Sequence, residues 1–271
     1  MSRKISIAGI QTVPTQDKEA NLREALALVD EALRKYRHVD MLVLPEYFYE
    51  MTEPGEEGRI GEYPHEIIEA FASRARAFET YIVAGTVLNR RKDGKLYNTA
   101  MLFNRKGEVV GNYDKIHLFD VLNGSGADQE SNYCQRGDHL LIHDADFGKI
   151  GVMICYDVRF PELARTLALE GVQFLFIPAA FYSPRIDHWT DLIRATALQN
   201  SMVVAGVNLY GAWNPKNIFC GRSLISDPWG VKIAGASDKA CYFQAYVDDD
   251  YPTQIKDAVG SFHNRVPSMY N

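Results

Sequence analysis

The chain has 271 residues, 46% of them hydrophobic and 24% charged, which are globular proportions and exclude a disordered or fibrous polymer. Twenty-nine Lys and Arg against 35 Asp and Glu leave a net charge of −6, so a general nucleic-acid or anionic-membrane surface is disfavoured. The four cysteines (Cys134, Cys155, Cys220, Cys241) have no CxxC or zinc-ribbon spacing; they make no disulfide scaffold and fit a reducing cytoplasm.

Residues 5–11 read as a first strand. Their apolar run is too short for a signal-peptide core, and no later stretch reaches the roughly 18 apolar residues of a membrane span. The expectation is a soluble cytoplasmic protein. Residues 17–36 form an amphipathic helix, with Leu22, Leu26, Val29, Leu33 and Tyr36 at three- to four-residue spacing. Residues 39–44 are a continuous apolar strand. Pro64 opens a second helix that carries Ile67, Ile68, Phe71, Ala75 and Phe78 on one face. Strands follow at 81–88, 97–103 and 108–113, the last two joined at Lys106-Gly107. The glycine-bearing stretch 123–127 reads as a loop, and 139–143 as a strand.

The second half keeps the rhythm. Strands are expected at 150–154, 172–177 and 202–208, with helices at 161–170 and 187–199 between them. Strands at 218–226, 231–234 and 242–247 close the chain. No linker or low-complexity tract divides the sequence, so one domain covers 1–271. Fully apolar strands are expected where both faces of a sheet are covered. Strand–helix alternation with extra meandering strands predicts layered α/β architecture with mixed sheets.

In open α/β sheets, ligands gather at the carboxyl ends of strands. Glu46 follows the strand at 39–44, Lys115 follows 108–113, and Cys155 follows 150–154. A carboxylate, an ammonium and a thiol in such positions are the parts acyl transfer requires. Spacing alone does not bring the three into one pocket. A lone cysteine at a strand end is usually a small buried apolar group.

Three segments change that reading. They are Leu44-Pro45-Glu46, Tyr113-Asp114-Lys115-Ile116-His117-Leu118-Phe119 and Gly151-Val152-Met153-Ile154-Cys155-Tyr156-Asp157-Val158-Arg159-Phe160-Pro161-Glu162. Together, in this order and 69 and 40 residues apart, they resemble the motifs of the nitrilase superfamily, the carbon–nitrogen hydrolases. The resemblance runs on to Asp227-Pro228-Trp229-Gly230. It implies an α-β-β-α sandwich, a Glu–Lys–Cys triad, and no metal or organic cofactor. Glu46 matches the general base, Lys115 the stabilising lysine and Cys155 the nucleophile. Asp128-Gln129-Glu130-Ser131 resembles a further motif, in which Glu130 would position the lysine and the substrate nitrogen.

The oxyanion donors would be Lys115 and the backbone N–H of Tyr156. Cys155-Tyr156-Asp157 departs from the Cys-Trp-Glu usual in true nitrilases and resembles the amidase and carbamoylase branches, closest to omega-amidases and deaminated-glutathione amidases. Arg159 matches the arginine that receives a substrate carboxylate there; the alternative is an ion pair with Glu162 or a neighbouring acid. Phe181, Tyr47 and Phe48 lie where pocket walls or core are expected. The expected substrate is a small carboxylate-bearing linear amide. An N-carbamoyl amino acid or amine is the alternative, with nitrile hydrolysis and a catalytically dead binding protein behind. The resemblance also implies a homodimer or higher homo-oligomer.

Overall fold

The computed structural model describes residues 2–52, 55–120 and 129–270. The first half contains β1 (Lys4–Gln11), α1 (Lys18–Lys35), β2 (Met41–Val43), α2 (His65–Phe78), β3 (Tyr81–Arg90), β4 (Leu96–Phe103) and β5 (Val109–Asp114). The second contains β6 (Leu141–Ala145), β7 (Gly148–Val152), α3 (Pro161–Leu169), β8 (Phe174–Ala179), α4 (Ile186–Asn200) and β9 (Val203–Asn208). After these come β10 (Tyr210–Ala212), β11 (Ile218–Cys220), β12 (Leu224–Ser226), β13 (Lys232–Gly235), β14 (Cys241–Asp248) and α5 (Tyr251–Val259).

Two six-stranded sheets result, ordered β14-β1-β2-β3-β4-β5 and β13-β12-β9-β8-β7-β6, with β10 and β11 forming a separate ribbon. Both are mixed. β1, β2 and β3 run parallel, as do β7, β8 and β9, and antiparallel strands flank each set. Side chains alternate across the first sheet. Ile5, Ile7, Met41 and Val43 enter the core shared with the second sheet, while Ala8, Ile10, Leu42 and Leu44 meet the helices on the other face. This two-sided burial is why these strands are largely apolar on both faces.

The periodicity of α1 places Leu22, Ala25, Val29 and Leu33 against β1 and β14. Its start is set by Asp17, whose carboxylate accepts the N–H groups of Glu19 and Ala20 at 3.0 Å each. α2 covers the same face through Ile67, Phe71 and Ala75. On the far side, Leu163 and Leu167 of α3 and Trp189, Ile193 and Ala197 of α4 pack on the second sheet. The layers are therefore α-β-β-α, as the resemblance implied.

Three expectations need correction. Residues 218–226 are two strands in different sheets, because Gly221 (φ 62°) and Arg222 (φ 54°) turn the chain left-handed between them. A short strand, β10, precedes them. The chain does not end in strands: α5 follows β14, opened by Pro252 in its first turn and stopped by Gly260 at φ 66°. The expected loop at 123–127 lies outside the described residues. No helix among the described residues is long and apolar enough to cross a membrane.

Candidate active site

Glu46, Lys115 and Cys155 all emerge where their strands end. β2 is continued by Leu44, whose N–H reaches Val83 O at 3.1 Å, and Glu46 stands two residues on. β5 runs in the same sense as β2, since two antiparallel pairings separate it from β3, and Lys115 follows its last residue. β7 is extended by Met153, paired to Phe176 O, and Cys155 opens a short 3₁₀ turn, Cys155–Arg159.

Local backbone geometry is strained at two of these ends. Tyr47 and Cys155 adopt φ of 54° and 46°, a region most L-residues avoid, and such outliers concentrate at functional sites. Glycine backs one turn closely. A Cβ on Gly85 would collide with the carbonyl oxygen of Pro45, so only glycine lets β3 approach the Glu46 turn.

The side chains converge on one buried charged cluster. Glu46, Lys115 and Glu130 are 1%, 2% and 4% exposed. The Lys115 ammonium donates to Glu46 Oε1 at 2.9 Å and forms an ion pair with Glu130 Oε2 at 2.8 Å. Glu46 Oε2 accepts the N–H of Ala180, the first residue past β8, at 2.8 Å. Glu130 also accepts the N–H of Phe119 at 2.8 Å and the hydroxyl of Tyr47 at 2.9 Å. Asn98, in the middle of β4, donates from Nδ2 to Glu46 Oε1 (2.8 Å), Glu130 Oε1 (2.9 Å) and the Tyr47 hydroxyl (2.9 Å).

Electrostatics follow from this packing. Burial alone would discharge Lys115, but the carboxylates of Glu130 and Glu46 outweigh it and push the ammonium's pKa well above its ordinary value. Burial likewise works against the Glu130 carboxylate, yet Lys115 beside it, with the hydrogen bonds from Asn98 and Phe119, holds its pKa below the ordinary value. The Cys155 thiol is pushed well up, first by burial and then by the neighbouring Glu46 carboxylate. Cys155 therefore rests as a neutral thiol next to a carboxylate able to take its proton.

Asp157 anchors the cysteine turn. It is fully buried, and its carboxylate accepts four hydrogen bonds: Ile154 N–H (2.9 Å), Tyr113 hydroxyl (2.7 Å), His117 N–H (2.9 Å) and His117 Nδ1 (2.8 Å). Tyr113 and His117 flank Lys115, so one side chain ties the lysine segment to the cysteine turn. The His117 ring stacks on Phe160 at 3.6 Å.

The remaining expected residues surround this centre. The Tyr156 N–H makes no hydrogen bond to a described residue, and its ring meets Phe119 and Phe160 edge-on. Arg159 forms no ion pair among the described residues, with Glu162 or any other acid. Its guanidinium lies 3.2 Å from His188 Nδ1 and 5.2 Å over the Phe181 ring. Phe181 is buried against Trp189. Tyr47, expected as a pocket or core aromatic, packs against the clusters around Leu118 and Phe219, and its hydroxyl donates to Glu130 and accepts from Asn98. Asp128 lies outside the described residues. Sequence reasoning missed Asn98, Asp157, Tyr113 and His117. Asn98 had a signal: with Thr99 it is a polar pair inside an otherwise apolar strand, and both are fully buried. A cavity of about 560 Å³ lies elsewhere, lined by Glu162, Arg165, Gln199 and Arg265.

A layered α/β sandwich with a thiol, an ammonium and two carboxylates gathered at its strand ends is the architecture of a hydrolase. Residues 4–255 match the family model described as carbon-nitrogen hydrolase, and the chain belongs to that family, the nitrilase superfamily. Among curated relatives, the 2-oxoglutaramate amidase of Bacillus subtilis is 31% identical over 92% of this chain and 93% of the relative. The human deaminated glutathione amidase is 33% identical over 97% of this chain and 83% of the relative. Among solved structures, Saccharomyces cerevisiae Nit3 superposes with a TM-score of 0.85 at 28% identity, covering 96% of this chain and 95% of Nit3. The Caenorhabditis elegans NitFhit protein gives 0.86 at 28% identity, covering all of this chain and 67% of NitFhit.

Proposed function

We propose that this enzyme is an amidase of small linear amides that carry a carboxylate, working through Cys155, Glu46, Lys115 and Glu130. The observation that carries the reading is the buried Glu46–Lys115–Glu130 cluster beside a neutral Cys155 thiol. Glu46 takes the thiol proton as sulfur attacks the amide carbonyl carbon. The oxyanion is held by the Lys115 ammonium and the Tyr156 N–H; donors of this kind are worth roughly 3–4 kcal/mol each in other enzymes. Glu46 returns the proton to the amine, the C–N bond breaks, and ammonia leaves. Water, deprotonated by Glu46, then attacks the Cys155 thioester, and the thiol is restored. Glu130 keeps Lys115 aimed at the reacting carbonyl.

The substrate class rests on Arg159. A guanidinium with no carboxylate partner among the described residues, beside the turn of the nucleophile, is suited to a substrate carboxylate. The names of the relatives that act on 2-oxoglutaramate and deaminated glutathione support it. The same reading has the enzyme in the cytoplasm as a homo-oligomer.

A screen for ammonia release tests the proposal across ω-amides of dicarboxylic acids, N-carbamoyl amino acids, uncharged amides and nitriles. Ammonia from the first class alone is expected. Arg159→Lys should lower kcat/KM on the acidic amides by about 1.5–3 kcal/mol, the scale of a charge-assisted hydrogen bond. Uncharged amides should be unaffected. An equal loss on both would remove the carboxylate from the proposal. No ammonia from any class, with Cys155 still open to alkylation, would point to a binding protein.

A further inference from the structure

We propose that Asn98 is a positioning residue for the reaction: it holds Glu46 and Glu130 together and reserves one oxygen of Glu46 for the proton. The inference rests on the roles given above to Glu46, Lys115 and Glu130.

Three charged side chains share one buried space, and two of them are negative. Lys115 bridges the carboxylates from one side. Asn98 bridges them from the other, with Nδ2 at 2.8 Å from Glu46 Oε1 and 2.9 Å from Glu130 Oε1. Its main chain joins the same group, since Asn98 O accepts the Lys115 N–H at 2.9 Å. One residue therefore touches all three charged members. The amide orientation is dictated by its neighbours: a reversed amide would press its carbonyl oxygen against both carboxylates. As oriented, Asn98 Oδ1 is buried without a hydrogen-bond partner among the described residues. A site that uses both amide hydrogens and leaves the oxygen idle is using asparagine as a neutral donor.

Neutrality matters here. A second cation would neutralise the pair and weaken Glu46 as a base, whereas an amide steadies the carboxylates without adding charge. The bonds around Glu46 are unequal. Among the described residues, Oε1 accepts from Lys115 and Asn98 and Oε2 from the Ala180 N–H, and the Cys155 thiol also lies within hydrogen-bond reach of this carboxylate. Oε2 is thus the oxygen free to take the Cys155 proton and pass it to the leaving amine. Without Asn98, Glu46 can turn, and both oxygens compete for Lys115.

Asn98→Asp keeps the shape and exchanges the donors for an ionisable oxygen; Asn98→Ala removes the donors and adds no charge. Both are assayed for ammonia release from 2-oxoglutaramate between about pH 5 and pH 9, beside wild type and Glu46→Gln. Rates are expressed per folded molecule from thermal melts. Asn98→Asp should lose on the order of 100-fold in kcat near pH 8 with little change in KM, and recover about tenfold of that deficit toward pH 5, where the new carboxyl is protonated and donates again. Asn98→Ala should lose on the order of tenfold in kcat, and the acid limb of its kcat/KM profile should move to higher pH. A loss uniform across pH in both variants would make Asn98 a structural residue and overturn the proposal. Glu46→Gln with wild-type kcat would overturn the reading beneath it instead. If wild type leaves 2-oxoglutaramate untouched, the amide turned over fastest in the screen replaces it, which separates a wrong substrate class from a wrong role for Asn98.

Discussion

A buried thiol whose ionisation is opposed by its surroundings is a poor nucleophile until its proton has somewhere to go. Cys155 is such a thiol, and the Glu46 carboxylate beside it is the acceptor we propose. This divides the work between the charged residues in a way that can be measured. Lys115→Ala removes the cation facing the developing oxyanion, and the acyl-enzyme should barely accumulate. Glu46→Gln leaves no base for water, so any thioester that forms should persist. Each should lower kcat by roughly 10²–10⁴-fold, and intact-mass spectrometry after substrate addition distinguishes them; equal adduct in both would contradict the division. The three motif residues were legible because their segments resemble the nitrilase-superfamily motifs in order and separation, whereas a place after a strand left each of them ordinary. Asn98 was not, because its meaning depends on Glu46 and Glu130, 52 and 32 positions away, which only the fold brings to it.

At the scale of elements, the short turn after β7 holds Cys155 at a left-handed φ, and that conformation has to be fastened by something outside the turn. Asp157 fastens it to the segment after β5. Asn in its place would present an amide to groups that are themselves donors and leave some of the four unsatisfied. Asp157→Asn should therefore cost about 3 kcal/mol or more of stability, seen as a lower melting temperature, with a parallel loss of kcat. An unchanged melt would show that the turn is held by other means. Element boundaries were readable where capping and apolar periodicity agreed, as in α1. They failed at 218–226, where Gly221 and Arg222 send one apolar run into two sheets. A run of strand-forming residues does not carry its own sheet assignment, because that is decided by distant partners: β11 pairs with β10, and β12 with β9.

For the molecule as a whole, acid is the vulnerable side. Burial raises the cost of ionising both Asp40 and Glu130. It is outweighed at Asp40 by the Ser6 N–H and the Arg105 guanidinium, and at Glu130 by Lys115. Both folded-state pKa values are depressed from ordinary values of 3.8 and 4.5. Their contribution is complete above those values and disappears as pH falls through the lower, folded ones. Melting temperature should stay level from neutral pH to about pH 4.5 and decline below; a level profile down to pH 3 would contradict it. Layered α/β architecture with mixed sheets was foreseeable from alternating strands and amphipathic helices, and the α-β-β-α order from the family resemblance, but the pairing of β1 with β14 was not, since it joins Lys4 to Asp248 across almost the whole sequence. That pairing constrains when the first sheet can be completed. β1 keeps that edge unpaired until residues 241–248 are available, and Glu46 meets Ala180 only across 134 positions. Contacts of such sequence separation form late. A fragment that ends before Ala180 therefore lacks the N–H that holds Glu46 Oε2, whatever strands it has already formed.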